Sequence, residues 1–462
     1  YLTYRLVSVL LLRSQGRDNH RLGGLLAAAL TSFAVLHVQL AHFYTPDPLL
    51  TFLVMLTLNL AVDVAHSDGH WRRVGLGIAF GLALATKVTA VLLIVPILTA
   101  CYAHAAKKRM PSKRVNSEPV SASPPMPAAI RCMIPVLLLA ACVFAVTQPY
   151  ALIDWQTFLS DTLRESQIAW GRLDAPYTRQ YAGTLPYIYA MWQTALWALG
   201  LPFGIVAWAA LGLGLLRWTR NGDWANALLL AWAGTYLAFT GLLYAKYLRY
   251  MLPLVPILCM LIIPLLSTRR TEETASEEKS SIGRASMPDA AIAGVLILFS
   301  SAYALAYVSI YTHPHSWITA SEWLYEHVPP GSTLALEEWD TPLPLPLDVD
   351  GRPRRIEEYD ALTLRLYAEP DSGPKWEQIT VELAQTDYVI IASRRLYGSI
   401  PRQPERYPLA TRYYDLLFSG ELGFELVMET TRGPDWLNPR LAPLPNATPH
   451  WLLPDESFVV YD

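Results

Sequence analysis

His42-Phe43-Tyr44-Thr45-Pro46-Asp47-Pro48 joins two almost uncharged apolar segments, residues 22–41 and 49–65. About 20 apolar residues cross the hydrocarbon of a bilayer, so both segments read as membrane spans and the turn as their link at one face. Pro46 and Pro48 stop the flanking helices and fix the turn. A carboxylate at this level is costly unless it meets water, a cation or a ligand. Two readings of Asp47 are open. It serves as an acid at the N-terminus of the next helix, where the dipole favours it, or it faces an outer cavity with His42 and Tyr44 beside it. His37 and His42 stand five residues apart, on different helix faces, and do not form a metal pair.

The rest of the chain extends this reading. Apolar residues make up 53% of the 462 positions and charged ones 16%, against about a quarter charged in soluble domains. With its repeated long apolar runs, the chain is expected to be a polytopic α-helical membrane protein. The net charge of −3 hides an asymmetry: residues 1–311 carry 24 Lys and Arg against 15 Asp and Glu, whereas residues 312–462 carry 12 against 24. The first part reads as a membrane domain with basic loops, the second as an acidic, water-facing one. The sequence opens at Tyr1 in what reads as the tail of a span already begun, so the expectation is an N-terminally truncated chain. The four cysteines (Cys101, Cys132, Cys142, Cys259) lie in apolar segments without metal-type spacing and read as packing residues.

Basic loops mark the cytoplasmic side. They are Arg13 to Arg21, His70 to Arg73, Lys107 to Arg114, Arg217 to Arg220 and Arg269 to Arg284. The turn at Tyr44 to Pro48 then lies outside. Segment 74–104 has two basic flanks, which predicts two half-helices of roughly 20 Å each opening to the cytoplasm. Their turn falls at Thr86-Lys87-Val88 with Lys87 deep in the membrane, and Gly75, Gly77 and Gly81 pack the pair. A cytoplasmic linker at 105–128, Pro- and Ser-rich from 110, leads to an exit over 129–147 and an outer amphipathic segment at 148–186. Residues 187–216 return, 224–244 exit, 251–267 return to a cytoplasmic loop at 268–287, and 288–311 exit. Residues 312–462 form an extracytoplasmic α/β domain. Its helices are expected at Ser316 to His327 and Tyr407 to Phe418, with Gly420 as a stop. Its strands are expected at 333–336, 387–393, 424–428 and 458–461.

Two further places carry chemistry. Lys246-Tyr247-Leu248-Arg249-Tyr250 puts two cations at an outer helix end, against the positive-inside preference. It reads as an interfacial anchor or as a phosphate clamp, with Arg249 offering a forked donor set and Lys246 a point charge. Lys87, buried in either arrangement of its segment, needs an anionic partner or a watery cavity.

The Thr45-Pro46-Asp47-Pro48 turn, Gly77-Ile78-Ala79-Phe80-Gly81-Leu82-Ala83 with Thr86-Lys87, and the Lys246–Tyr250 run followed by Leu252-Pro253-Leu254-Val255-Pro256 together resemble the membrane-embedded GT-C glycosyltransferases. More narrowly the chain is similar to family 39, the protein O-mannosyltransferase and aminoarabinose-transferase-like group, in a bacterial form. The resemblance covers about residues 1–311. It implies an inverting enzyme that takes a sugar from a polyprenyl-phosphate donor to an acceptor hydroxyl at the outer side of the plasma (inner) membrane. The acceptor is a lipid, a polysaccharide or a protein; the bilayer is a partner and nucleic acid is not. No obligatory cofactor is implied, and a divalent metal is left open. In that family the leading catalytic acid sits in the first outer loop, upstream of Tyr1. Asp47 is therefore a supporting acid, while Lys246, Arg249, Tyr250, Lys87, His42 and Tyr44 are expected to bind substrate or its phosphate. Two readings from other classes are a transporter or flippase of lipid-linked glycans, which calls for internal repeats that the sequence does not show, and an inactive membrane scaffold.

Overall fold

The computed structural model describes residues 1–14, 20–109, 126–221, 226–273 and 287–430. It divides into two compact units, one of Tyr1–Glu165 with Pro186–Ala304, the other of Ser166–Leu185 with the chain from Leu305 onward.

The first unit is helical. Helices α1 (Leu2–Ser14), α2 (His20–Ser32) and α3 (Val35–Leu40) precede the turn, with the chain extended at Ala34 between the last two. Then follow α4 (Asp47–His66), α5 (His70–Thr86), a 3₁₀ turn (Val88–Leu93), α6 (Ile94–Arg109), α7 (Met126–Thr147), α8 (Tyr150–Ile153) and α9 (Trp155–Ala169). The chain re-enters the unit at α10 (Ile188–Gln193), a π turn (Thr194–Ala198) and α11 (Leu201–Asn221). It closes with α12 (Ala227–Thr240), a 3₁₀ turn (Leu248–Leu254), α13 (Val255–Glu273) and α14 (Met287–Ser309). Among the described residues, five helical stretches, beginning at Asp47, Val88, Met126, Leu201 and Ala291, are long and apolar enough to cross a membrane; shorter apolar helices lie at Leu2–Leu11, Ala227–Thr240 and Leu248–Pro264. α12 is buried along most of its length, whereas α7 and α14 expose Leu138, Val146, Val295 and Leu298. Unpartnered aliphatic faces of this kind suit lipid rather than water.

The break at Thr86-Lys87-Val88 falls where the sequence placed it, but the half-helices do not. α5 has 17 residues and rises about 25 Å, enough to return from the end of α4 to the level of Asp47. Lys87 therefore stands at the lip of the bundle, not deep within it. The small residues of α5 also serve a different neighbour from the one expected. A Cβ at Gly81 would come 2.7 Å from the Ala140 carbonyl oxygen of α7, and one at Gly77 would come 3.0 Å from that of Val136. They seat α5 on α7, while Gly75 faces Leu60 of α4. The return expected over 187–216 is interrupted by the π turn and by Gly200 at φ +83, where a side chain would strike the Phe299 ring.

The second unit is a small α/β fold. Its helices are α15 (Ser316–His327), α16 (Gly373–Ala384) and α17 (Pro408–Ser419). Its strands are β1 (Thr333–Glu337), β2 (Leu347–Val349), β3 (Arg352–Arg354), β4 (Asp360–Leu364) and β5 (Tyr388–Ile390). β1 is central in a parallel sheet of order β4-β1-β5, with Ala335 opposite Leu362 on one side and Val389 on the other. β2 and β3 form a hairpin whose two-residue turn, Asp350-Gly351, has both φ values positive, as a twisted hairpin requires. α17 ends at Gly420 in the left-handed conformation, the stop foreseen from sequence. Two apolar clusters cover the sheet, one built on Leu364, Tyr407, Tyr413 and Tyr414, the other on Leu324, Tyr325, Leu334 and Tyr359. The strand expected at 424–428 does not form; that stretch has no ladder partner among the described residues. The strand expected at 458–461, residues 110–125 of the linker and 274–286 of the basic loop lie outside the described residues.

Residues 166–185 belong to this second unit although the sequence reads them as part of an outer membrane loop. Arg179, buried to its tip, explains why. Its Nε and Nη2 bind the two oxygens of Asp174 at 2.9 and 2.7 Å, and its Nη1 reaches the Tyr367 carbonyl and the Tyr407 hydroxyl, each at 2.6 Å. Arg179 holds the Asp174 carboxyl below the usual carboxylate range.

Candidate functional site

Asp47 opens the first turn of α4 and is 1% exposed. Pro46, not Asp47, holds the N-cap position, and Asp47 is the acidic residue of the first turn. Its Oδ1 accepts from Lys87 Nζ at 2.8 Å, across 40 residues of sequence. Asp47 is thus both the acid at the N-terminus of α4 and one half of an ion pair, the three-residue connection Ser67–Gly69 bringing α5 back beside α4. Lys87 is the one extended residue between α5 and the 3₁₀ turn, at φ −158 and ψ 129. That break frees its side chain from the helical track and directs it to Asp47.

The same ammonium lies 4.4 Å from the centre of the Tyr250 ring, a cation–π contact that leaves the face of the ring electrostatically engaged. Tyr250 is anchored from below, its carbonyl accepting from the Tyr236 hydroxyl at 2.7 Å; Trp232 of the same helix binds the Pro253 carbonyl at 3.2 Å. Arg249 lies against the rings of Tyr247 and Tyr250, at 4.6 and 5.8 Å from their centres. Lys246 is buried, donates to the Tyr244 carbonyl at 3.2 Å, and is held by desolvation down to about 8. The structure thus brings Asp47, Lys87, Tyr250 and Arg249 into one connected group, with Lys246 three residues before Arg249.

His42 is exposed and its Nδ1 pairs with the Val38 carbonyl at 2.7 Å, turned back on α3; Tyr44 is fully exposed at the tip of the turn. Sequence reasoning missed Gln148, whose Nε2 donates to the Ala85 carbonyl at 2.8 Å and so fastens the end of α7 to the last turn before Lys87. It also missed Tyr236 and Glu165. Both Asp47 and Glu165 are close enough to act electrostatically on the Tyr250 hydroxyl. A lone Gln after an apolar helix was the available signal for the first; an aromatic inside an all-apolar helix carries none for the second. α8 and α9 present Leu152, Trp155, Leu159 and Leu163 outward, the apolar stripe expected of an interfacial helix.

Chemically, the group offers fixed positive charge beside a carboxylate at the end of a helical bundle. The Lys87 ammonium and the Arg249 guanidinium, which meet on the Tyr250 ring, are the donor types that suit a phosphate. Among the described residues no three His, Cys, Asp or Glu side chains come together as metal ligands.

Residues 2–117 match the family described as dolichyl-phosphate-mannose-protein mannosyltransferase. That stretch contains Asp47 and Lys87. No curated protein matches the chain. Among solved structures the chain is similar to the oligosaccharyltransferase of Archaeoglobus fulgidus tethered to an acceptor peptide, at 12% identity and a TM-score of 0.43, covering 89% of this chain and 59% of that one. It is also similar to the same archaeal enzyme, AglB, in complex with an inhibitory peptide and a dolichol-phosphate, at 13% identity and a TM-score of 0.38, covering 73% and 50%. The chain thus spans between half and three-fifths of the solved structures it matches.

Proposed function

We propose that this multi-pass membrane protein, whose residues 2–117 match the family described as dolichyl-phosphate-mannose-protein mannosyltransferase, is a glycosyltransferase. It moves a sugar from a polyprenyl-phosphate donor to an acceptor hydroxyl at the outer face of the membrane. The observation that carries the reading is the Asp47–Lys87 ion pair at the lip, stacked on Tyr250 and adjoining Arg249.

In this reading the acceptor oxygen attacks the anomeric carbon from the side opposite the phosphate. The bond from that carbon to the phosphate oxygen breaks, and its electron pair leaves with the lipid phosphate, so the configuration inverts. Negative charge grows on the departing phosphate, and fixed cations directed at growing charge are the largest source of rate in such reactions. Arg249 supplies a forked contact and Lys246 a point charge. Lys246 is the more responsive of the two, because an arriving phosphate offsets the desolvation that lowers its proton affinity. Asp47 has one oxygen committed to Lys87, so its part is to hold that ammonium and the Tyr250 ring in register. The acceptor proton passes to a different carboxylate.

The test is the full-length protein in lipid nanodiscs with a panel of polyprenyl-phosphate sugars, transfer being scored by mass spectrometry. Asp47→Asn and Arg249→Ala are expected to lower transfer at least 100-fold while expression and folding persist. Wild-type rates in both variants would remove these residues from the site. No transfer from any lipid-phosphate sugar by the wild type would refute the activity.

A further inference from the structure

The α/β unit holds a second polar cluster, at the carboxyl edge of β1. β4 and β5 flank β1 on opposite sides, so the strand order reverses there. In open parallel sheets ligands occupy the crevice at the carboxyl ends where such a reversal occurs. Glu337 is the last residue of β1 and 5% exposed. The Tyr414 hydroxyl of α17 donates to its Oε1 at 2.5 Å, whereas Oε2 has no hydrogen-bond partner among the described residues. The Tyr413 hydroxyl, also buried and close enough to feel the Glu337 charge, has none either. Buried polar atoms are nearly always paired, and two unpaired ones in one neighbourhood point to a missing hydroxyl-bearing group. Burial raises Glu337 to about 8, so at neutral pH it is mostly a neutral acid able to donate as well as accept.

Two residues further on, Trp339 is 49% exposed and sits at φ +73. Its carbonyl accepts from Arg395 Nη1. Asp340 is buried beneath; one of its oxygens accepts from the Ser393 hydroxyl at 2.7 Å and the other lies 3.7 Å from Arg395 Nη1. Arg395 is thereby tied to the backbone of Trp339, whose side chain is half exposed. An exposed indole, a guanidinium fixed to the same residue's carbonyl and a buried neutral carboxyl two residues earlier in the chain suit a ligand with an apolar C–H face and a rim of hydroxyls. Glu337, Glu338 and Asp340 together disfavour a phosphate at this edge.

We propose that the carboxyl edge of β1 is a carbohydrate-binding site in which Trp339 stacks on an uncharged pyranose ring and Arg395 and Glu337 bind its hydroxyls. Asp340 is a positioning residue acting through Arg395. The site rests on the α/β unit alone and does not depend on the transferase reading.

The experiment is saturation-transfer NMR on the full chain in nanodiscs, with methyl α-mannopyranoside, methyl β-glucopyranoside and methyl β-galactopyranoside as probes and a Ser/Thr tetrapeptide as comparison. At least one glycoside is expected to receive saturation. Trp339→Ala should reduce it at least fivefold, and Trp339→Phe should retain most of it. Asp47→Asn should leave it unchanged, which separates this site from the one at the membrane lip. Arg395→Gln gives the same reading should Trp339→Ala fail to fold. Saturation of the peptide alone, of no glycoside, or equal saturation in wild type and both the Trp339→Ala and Arg395→Gln variants would overturn the proposal.

Discussion

Replacing Lys87 by Met leaves the buried Asp47 carboxylate at the lip without its cation. The side chains are unequally buried, 2% exposed for Asp47 and 24% for Lys87. Removing one partner of a fully buried pair costs about 3–5 kcal/mol, chiefly because the remaining charge is stranded. Partial exposure of Lys87 brings the value toward the lower end, and the lost contact with the Tyr250 ring adds about 0.5–1 kcal/mol. Lys87→Met should therefore destabilise the membrane unit by about 3 kcal/mol. Asp47→Asn should cost about 1–2 kcal/mol, since the ammonium keeps the ring and some solvent. The double variant strands neither charge, so its loss should fall about 2 kcal/mol short of the sum of the singles. The assay is reversible unfolding by SDS titration in bicelles, followed by near-UV signals of the membrane unit, for all four members of the cycle. Raising salt should change the coupling little, because a buried pair is poorly screened. Additivity of the two single variants within about 0.5 kcal/mol would show that the pair does not form and would remove the geometric basis of the site.

Three other outcomes follow from the same structure. Gln148→Ala removes the bond to the Ala85 carbonyl and should cost about 1 kcal/mol; transfer should fall in kcat more than in KM, and equal shifts in both would argue against a positioning role. Arg179→Met removes the donor to the Tyr407 hydroxyl and one of the two donors to the Tyr367 carbonyl, which keeps its bond from the Tyr407 hydroxyl, and should lower the stability of the α/β unit by about 2 kcal/mol, read as faster amide exchange in 166–185 and 360–410 and not in α4 or α5. Glu337 holds its proton to about 8 when folded and releases it near 4.5 when unfolded, so the unfolded state sheds its proton first and stability falls as pH rises between those values. Glu337→Gln should remove roughly 3 kcal/mol of the decline between pH 4.5 and 7, seen as a flatter unfolding midpoint against pH, and an unchanged slope would refute the assignment.

Much of the local structure was legible. The proline-flanked turn at Asp47, the break at Thr86-Lys87-Val88, the helices α15 and α17, the glycine stop at 420 and the strand β1 all arise from short-range chemistry. Proline geometry, apolar periodicity and a left-handed glycine act within a few residues of themselves. The candidate site was legible only as separate pieces. Asp47, Lys87 and the Lys246–Tyr250 run each stood out as charge where apolar surroundings make charge expensive. Which of them meet was not legible, nor that His42 and Tyr44, close to Asp47 in sequence, would be exposed.

The sequence by itself determined that this is a polytopic helical chain with an acidic α/β unit, and where its helices break. Tertiary structure alone decided that Lys87 reaches Asp47 at the lip, that Gly77 and Gly81 seat α5 on α7, and that residues 166–185 fold with the α/β unit through Arg179. The physical reason is range. Periodicity and capping act over one or two turns, whereas the partner of a buried charge and the neighbour of a glycine face depend on how whole helices are rotated and returned against one another.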